Sequence, residues 1–214
     1  MIRRELPVSV DIGSETYKID ADFRTIMNVE GIIFGKEVTD DQRKFAEEMM
    51  KEVDIEEKDA IQNAKYYDAL KLFYKDNIPD DLEEAMEKML WFYSCGKEDK
   101  QSKTKKKVIS FEYDFDYINA GFIQDYKIDL FEVDFLHWWK FMSLFSALHD
   151  DCKICEIIGY RGAELKNFDK EQRKRVREMQ KIYALPDDIS KEEKKRQDEI
   201  TQILLNGGDL SGIL

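Results

Sequence analysis

Apolar residues recur at every third or fourth position through most of this chain, which is the spacing of α-helices with one buried face. The clearest case begins after Pro79 and ends near Gly96. Only three prolines and ten glycines interrupt 214 residues, so long helices can form without a break. The spacing therefore predicts a mostly α fold. The apolar positions of this clearest helix are Leu82, Ala85, Met86, Met89, Leu90 and Tyr93.

The N-terminal residues follow a different pattern, in which apolar and polar side chains alternate. Val8, Val10 and Ile12 alternate with polar residues, and the alternation resumes after Gly13 as far as Ile19. Two period-two runs around a glycine predict a β-hairpin, and two strands alone are marginal, so the hairpin must pack on helices. The expected fold class is a multi-helix bundle with a small N-terminal β-hairpin.

Further helices are predicted from the same periodicity, from Asp22 as an N-cap, from Gly35 at a helix end and from Pro186, which ends a helix. A run of charged residues without apolar spacing separates two halves, which predicts a hairpin plus helical subdomain over 1–96, a charged linker over 97–110, a C-terminal helical subdomain over 111–205 and a flexible tail over 206–214. The other predicted helices cover about 22–35, 40–53, 56–76, 114–127, 134–148, 154–158, 169–184 and 190–205.

The charge balance limits the classes of partner. The formal net charge is −12, and a field of that sign repels phosphate backbones, so nucleic acid is not an expected partner. The chain has no run of about 18 apolar residues, which argues against a membrane-spanning helix, and its start lacks a secretory signal. Three cysteines do not form a disulfide framework. These features predict a cytoplasmic protein.

Residues with catalytic or metal-binding potential are few. Cys152 and Cys155 form a CxxC pair without the second pair that a structural zinc site needs. The chain has only two histidines, and it lacks the glycine-rich phosphate loops and the nucleophile elbow of common enzymes. We therefore expect neither catalysis nor a cofactor. A metal-dependent hydrolase that uses His137, His149, Asp150 and the cysteine pair is kept as an alternative.

Two helices carry features typical of protein binding. Trp138 and Trp139 point about 100° apart on one helix, so either one of them faces a partner or both are buried in a central helix. The helix over 169–184 is basic, but Glu171 and Glu178 lie among its cations. This favours an internal charge match or a dock for an acidic partner helix over a nucleic-acid surface.

Seven short segments form a recognisable set. They are Asn77–Asp81, Met89–Tyr93, Phe115–Tyr117, Leu136–Phe141, Ile157–Arg161, Lys170–Arg175 and Tyr183–Pro186. Together they resemble the Gp-fifteen family of bacteriophage proteins, which occurs in tailed phages and prophages of Gram-positive bacteria. The resemblance covers about residues 5–188 and is strongest at 137–141 and 159–161.

The resemblance implies a role in tail assembly. Members of the family look like tail assembly chaperones, which are small acidic helical proteins encoded just ahead of the tape-measure gene. Such chaperones coat the long tape-measure helix so that tail-tube subunits can polymerise around it. The implied partner is the tape-measure protein in the bacterial host cytoplasm, with the tail-tube protein or a second copy of the chain as further candidates. A structural virion subunit of the tail or the head–tail connector is the alternative function.

The expected protein-binding residues combine the resemblance with the helical pattern. Aromatic side chains would serve as anchors, and arginines would meet carboxylates of the client. No metal, cofactor, nucleic acid or membrane is expected at this site. The predicted contact residues are Trp138, Trp139, Phe141, Phe145, Tyr160, Arg161, Arg173, Arg175 and Arg177.

Overall fold

The computed structural model describes residues 5–75, 77–97 and 107–186 of the chain. The mostly α fold with a small N-terminal hairpin is confirmed in these residues. The predicted helix over 190–205, the tail over 206–214 and most of the charged linker lie outside the described residues. The elements are β1 (Ser9–Ile12), β2 (Glu15–Lys18), α1 (Phe23–Phe34), α2 (Asp40–Glu52), α3 (Glu57–Tyr74), α4 (Leu82–Tyr93), α5 (Phe115–Tyr126), α6 (Trp138–Phe145), α7 (Lys153–Gly162), a 3-10 turn (Leu165–Asn167) and α8 (Lys170–Ile182).

The hairpin is antiparallel, and its two-residue turn is the one that the sequence predicts. Val10 pairs with Tyr17, and Ile12 pairs with Glu15. Gly13 has a φ of 57°, a conformation that suits glycine because it has no Cβ. The Gly13 N–H donates to the Glu84 carboxylate at 3.2 Å, so the turn is fastened to α4.

Polar side chains begin several helices by capping free backbone N–H groups. Asp22 accepts from the Arg24 N–H at 3.0 Å, as its position in the sequence predicts. Thr39 with Gln42, and Asp169 with Gln172, form reciprocal capping boxes at the starts of α2 and α8. These local bonds explain why the helices begin where they do.

Helix α6 is shorter than the periodicity predicts, because it covers Trp138–Phe145 rather than 134–148. Its N-cap is His137, which lies in an antiparallel bridge with Asp22. The Trp138 N–H donates to the Ala21 carbonyl at 2.8 Å, and the Phe23 N–H donates to the Leu136 carbonyl at 3.0 Å. Backbone bonds to a distant segment therefore hold residues 136–138 extended and delay the start of the helix.

The chain packs as two compact units that are interleaved along the sequence. Unit 1 comprises Met1–Thr104 and Phe122–Leu148, and unit 2 comprises Lys105–Gly121 and His149–Leu214. These packing units divide the chain at different points from the subdomains predicted over 1–96 and 111–205, which stay a prediction. No helix in the described part of the chain is long and apolar enough to cross a bilayer.

Each unit has its own core. In unit 1 the Phe141 ring is stacked between Phe23 and Phe122, with both ring-centroid distances at 5.1 Å. In unit 2, Ile154 and Ile157 of α7 are buried together with Val176 of α8. Close packing of this kind means that large-to-small substitutions in either core destabilise the fold.

Candidate functional site

The adjacent tryptophans of α6 are both buried. Trp138 is 1% exposed and Trp139 is 7% exposed. Their indole N–H groups donate to the carbonyls of Tyr93 at 2.9 Å and Phe92 at 2.8 Å, on the last turn of α4. Carbonyls at a helix end lack a donor within the helix. The Trp138 indole supplies one for Tyr93, and the Trp139 indole adds a second donor to the Phe92 carbonyl, which also accepts from the Cys95 N–H at 3.0 Å. Of the two sequence hypotheses, the wholly buried pair is the arrangement that the structure has.

Phe141 and Phe145 continue the same aromatic packing. Phe141 is 0% exposed, and its ring is parallel to the half-buried Phe145 ring at 6.0 Å. A partner that meets the surface of this structure cannot reach Trp138, Trp139 or Phe141. Their role as partner contacts stays a prediction, while their contacts within unit 1 give them a structural role.

Arg161 is a buried residue at the centre of unit 2. Its guanidinium makes two hydrogen bonds to the Asp114 carboxylate, at 2.6 and 2.9 Å, and both side chains are almost fully buried. It also donates to the carbonyls of Tyr183 at 2.5 Å and Val108 at 3.2 Å. Arg161 therefore joins α7 to the segment before α5 and to the end of α8, and it is not available to a surface partner.

Tyr160, the neighbour of Arg161, is half-buried on α7. Its ring is stacked on Tyr183 with 6.4 Å between the centroids. Lys153 on the same helix lies over the Tyr183 ring at 5.0 Å and donates to Glu156 at 2.7 Å. This bond from Lys153 is the main reason why the pKa of the Glu156 carboxyl is lowered. The predicted contact Tyr160 is thus partly covered by side chains of unit 2.

Helix α8 carries the accessible part of the predicted site. Val176 is its only buried residue, and Arg173, Arg175 and Arg177 are all exposed. Positions three, four and seven apart share one flank of a helix, so five cations of α8 form a continuous row that we call the basic stripe. Among the described residues, no ion pair joins the basic stripe to a carboxylate. The basic stripe consists of Lys170, Arg173, Lys174, Arg177 and Lys181.

Arg175 lies on a different flank of α8. Glu171 precedes it by one turn and Glu178 follows it by one turn, so carboxylates surround this cation on its own helix. Arg175 also contributes to the lowered pKa of Glu156, although less than Lys153 does. The exposed arginines of α8 are therefore of two kinds, since only Arg173 and Arg177 belong to the basic stripe.

A comparison with models of known protein families identifies the family of this chain. A family model described as Bacteriophage Gp15 protein matches residues 44–185, about two thirds of the sequence. This chain belongs to the bacteriophage Gp15 family. The resemblance drawn from the sequence is confirmed, and the match in this Gp15 protein includes α3 to α8 with the whole basic stripe. No curated protein and no solved structure matches the chain.

The residues proposed for a metal site in the alternative hydrolase hypothesis have other contacts in this Gp15 protein. His137 accepts from the Trp139 N–H through Nδ1 at 3.1 Å and donates through Nε2 to the Pro7 carbonyl at 2.9 Å. Both ring nitrogens are thus occupied. Cys152 is buried at the N-cap position of α7. In the described ranges, no three His, Cys, Asp or Glu side chains lie close enough to hold a metal ion.

The protonation of His137 is expected to affect stability on the acid side of neutrality. Burial lowers the pKa of His137 below its usual value of about 6.5, and the bond to Pro7 opposes this shift. The unfolded chain therefore binds a proton more readily than the folded chain does. The stability that depends on neutral His137 is complete above about pH 6.5 and is lost as the pH falls towards the pKa of the folded state.

Urea unfolding between pH 7.5 and pH 5.5 measures this effect. His137→Asn keeps an N-cap acceptor for the Trp139 N–H but removes the titrating ring, so the loss of stability towards acid should shrink. His149→Asn is the matched control, because His149 is the other histidine of the chain and is exposed. An acid-side loss that is as large in His137→Asn as in the parent would contradict the assignment.

Proposed function

We propose that this Gp15 protein is a tail assembly chaperone that binds the tape-measure protein during tail morphogenesis and catalyses no reaction. Membership of a bacteriophage family supports a role in a phage particle or its assembly. The tape-measure protein is a long helical client, and helical clients are bound through complementary faces of side chains. The proposal therefore needs an accessible face on this chain that suits a helix.

The basic stripe is the observation that carries the proposal. Its cations run from Lys170 to Lys181, which is about 16 Å along a helix at a rise of about 1.5 Å per residue. A client helix with carboxylates at positions i, i+3 or i+4, and i+7 presents a row of matching length. We infer that α8 lies beside such an acidic client helix.

The charges of the basic stripe are expected to affect mainly how fast a client associates and in which orientation it does so. A single exposed ion pair contributes only about 0–1 kcal/mol, so no one contact decides the affinity. Five cations on one flank create a local positive field on a chain with a net charge of −12, and this contrast orients an acidic client towards α8.

Charge reversal tests the proposed contact. Arg177→Glu should weaken the binding of acidic tape-measure fragments about tenfold at low salt, because it places a carboxylate in the middle of the basic stripe. Arg175→Glu is the matched control on the other flank of the same helix, and it should leave binding within about twofold. Both variants should fold normally, since both positions are exposed.

The measurement is a titration of purified chain with tiled tape-measure fragments at two salt concentrations. The difference between Arg177→Glu and the parent should shrink at about 0.5 M salt, because exposed charges are screened there. Equal affinities for the Arg175→Glu and Arg177→Glu variants would place the client elsewhere on the chain. Absence of binding to any fragment would reject the chaperone proposal itself.

A further inference from the structure

A groove lies between the hairpin and α4 in unit 1, far from the basic stripe in the sequence. Its volume is about 490 Å³, and we call it the β1 groove. One side is the outer edge of β1, and the other side is the exposed surface of α4. Since its residues belong to unit 1 alone, its geometry does not depend on the placement of unit 2. The lining residues are Ser9, Val10, Asp11, Glu87, Lys88 and Trp91.

The outer edge of β1 presents backbone groups without a strand partner. In an antiparallel pair, hydrogen-bonded and non-hydrogen-bonded residue pairs alternate. The Ile19 N–H donates to the Val8 carbonyl at 3.1 Å, so the ladder bonds run through residues 8, 10 and 12 of this strand. Ser9 and Asp11 therefore direct their N–H and carbonyl groups away from β2. The described residues contain no third strand that pairs with this edge.

One backbone carbonyl near this edge, that of Pro7, already accepts a hydrogen bond from a side chain. Pro7 precedes Ser9 and Asp11 in the same alternation, and its carbonyl accepts from Nε2 of His137 at 2.9 Å. The bond occupies the beginning of the edge and fixes the strand in place. Between this bond and the Gly13 N–H, which donates to Glu84, the N–H and carbonyl groups of Ser9 and Asp11 are directed away from β2. An extended peptide adds as a new strand to backbone groups in this arrangement.

The opposite wall of the groove selects the side chains of such a peptide. Trp91 is 42% exposed, and its ring is held by an edge contact with Trp139, with 5.4 Å between the centroids. A held aromatic face that is open to solvent attracts a cation. Asp11 and Glu87 line the same groove and are exposed, whereas Lys88 is paired with Glu84 at 3.7 Å. The groove as a whole is thus lined by the aromatic face of Trp91, by one carboxylate from each side and by a paired lysine.

We propose that the β1 groove binds an extended basic segment of a partner protein, which adds as a strand to the open edge of β1 and places a Lys or Arg side chain over Trp91. Alternate residues of a strand point to the same face, about 6.6–6.8 Å apart, so a segment with basic side chains at every second position fits this wall. This binding mode uses backbone bonds and cations. It is independent of the acidic helix proposed for α8, so either contact can exist without the other.

Synthetic peptides added to the ¹⁵N-labelled full chain test the proposal. The probe is a seven-residue peptide that alternates threonine with lysine, and its control alternates threonine with glutamate. The lysine peptide should shift the amide signals of Ser9 and Asp11 and should bind at least about tenfold more tightly than the glutamate peptide. N-methylation of one alternate set of peptide amides should abolish binding, whereas methylation of the other set should change it by less than about twofold.

Variants of the chain add a second test. Ser9→Pro removes an outward N–H at the first residue of β1, where proline is tolerated, and should abolish binding. Lys18→Pro removes an outward N–H from the opposite edge of the hairpin and should leave binding unchanged. Trp91→Ala should weaken binding about threefold to fivefold.

Three results would overturn the proposal. The first is the absence of shifts at Ser9 and Asp11 with millimolar lysine peptide. The second is equal binding of the lysine and glutamate peptides, and the third is equal loss from both N-methylated sets. If Ser9→Pro disrupts the hairpin, the two N-methylated peptides decide the question with the unaltered chain.

Discussion

Arg161→Met is expected to lower the free energy of unfolding by about 3–5 kcal/mol, because it leaves the buried Asp114 carboxylate without its partner. Asp114 is 1% exposed and would lose two charge-assisted hydrogen bonds, while the bond from the Ser110 N–H at 2.9 Å would remain. The carbonyls of Tyr183 and Val108 lose their donor in the same variant. The measurement is urea unfolding at neutral pH, followed by circular dichroism.

Two further variants separate this ion pair from a general effect of losing an arginine. Arg175→Met removes an exposed arginine and should change stability by no more than about 0.5 kcal/mol. The double variant Asp114→Asn with Arg161→Met should recover part of the loss, because no buried charge is left unpaired. A loss below about 1 kcal/mol in Arg161→Met would show that the pair does not hold unit 2 together.

Trp138→Ala is expected to cost about 3–5 kcal/mol of stability, because it leaves a cavity in the core of unit 1. The ring is stacked on Tyr93 at 5.7 Å and on Phe141 at 5.6 Å, and its N–H supplies the donor for the Tyr93 carbonyl. Trp138→Phe retains an aromatic ring but loses this donor, so it should cost less. Urea unfolding of both variants measures the difference.

Trp138→Ala also distinguishes a residue that stabilises the core from a residue that contacts a partner. A partner anchor would lower client binding by about 2–4 kcal/mol in a protein that stays fully stable. A core residue would instead lower stability first. Trp91→Ala is the matched control, since Trp91 is 42% exposed and should cost clearly less than Trp138→Ala. A fully stable Trp138→Ala variant that no longer binds its client would restore the anchor interpretation.

Most of the fold follows from local signals in the sequence. The hairpin turn at Gly13, the cap at Asp22 and the end of α1 near Gly35 all depend on residues that are neighbours in the chain. Helix α6 is the instructive exception. Its apolar spacing continues on both sides of Trp138–Phe145. However, backbone bonds to residues 21–23 hold the residues just before the helix in an extended conformation. The apolar spacing indicates which residues are buried, but it contains no information about such long-range bonds.

The candidate sites were predictable only where one helix contains the whole feature. The row of cations on α8 can be read from spacing alone. The burial of Trp138 and Trp139 could not, because an apolar helix faces either its own core or a partner with the same sequence pattern. The partner of Arg161, and the pairing of Ser9 with Trp91 in one groove, depend on residues that are far apart in the chain. The exposure of Trp91 could have been predicted from the sequence, since Trp91 lies outside the apolar stripe of its helix.

The most direct test of the proposed chaperone role is the ratio of this Gp15 protein to the tape-measure protein, measured by quantitative mass spectrometry during infection. The account predicts a substantial ratio in complexes captured before tails are complete and a ratio near zero in purified virions. A constant stoichiometric amount of the chain in mature virions, without a tape-measure complex earlier, would contradict it and would identify a structural subunit instead.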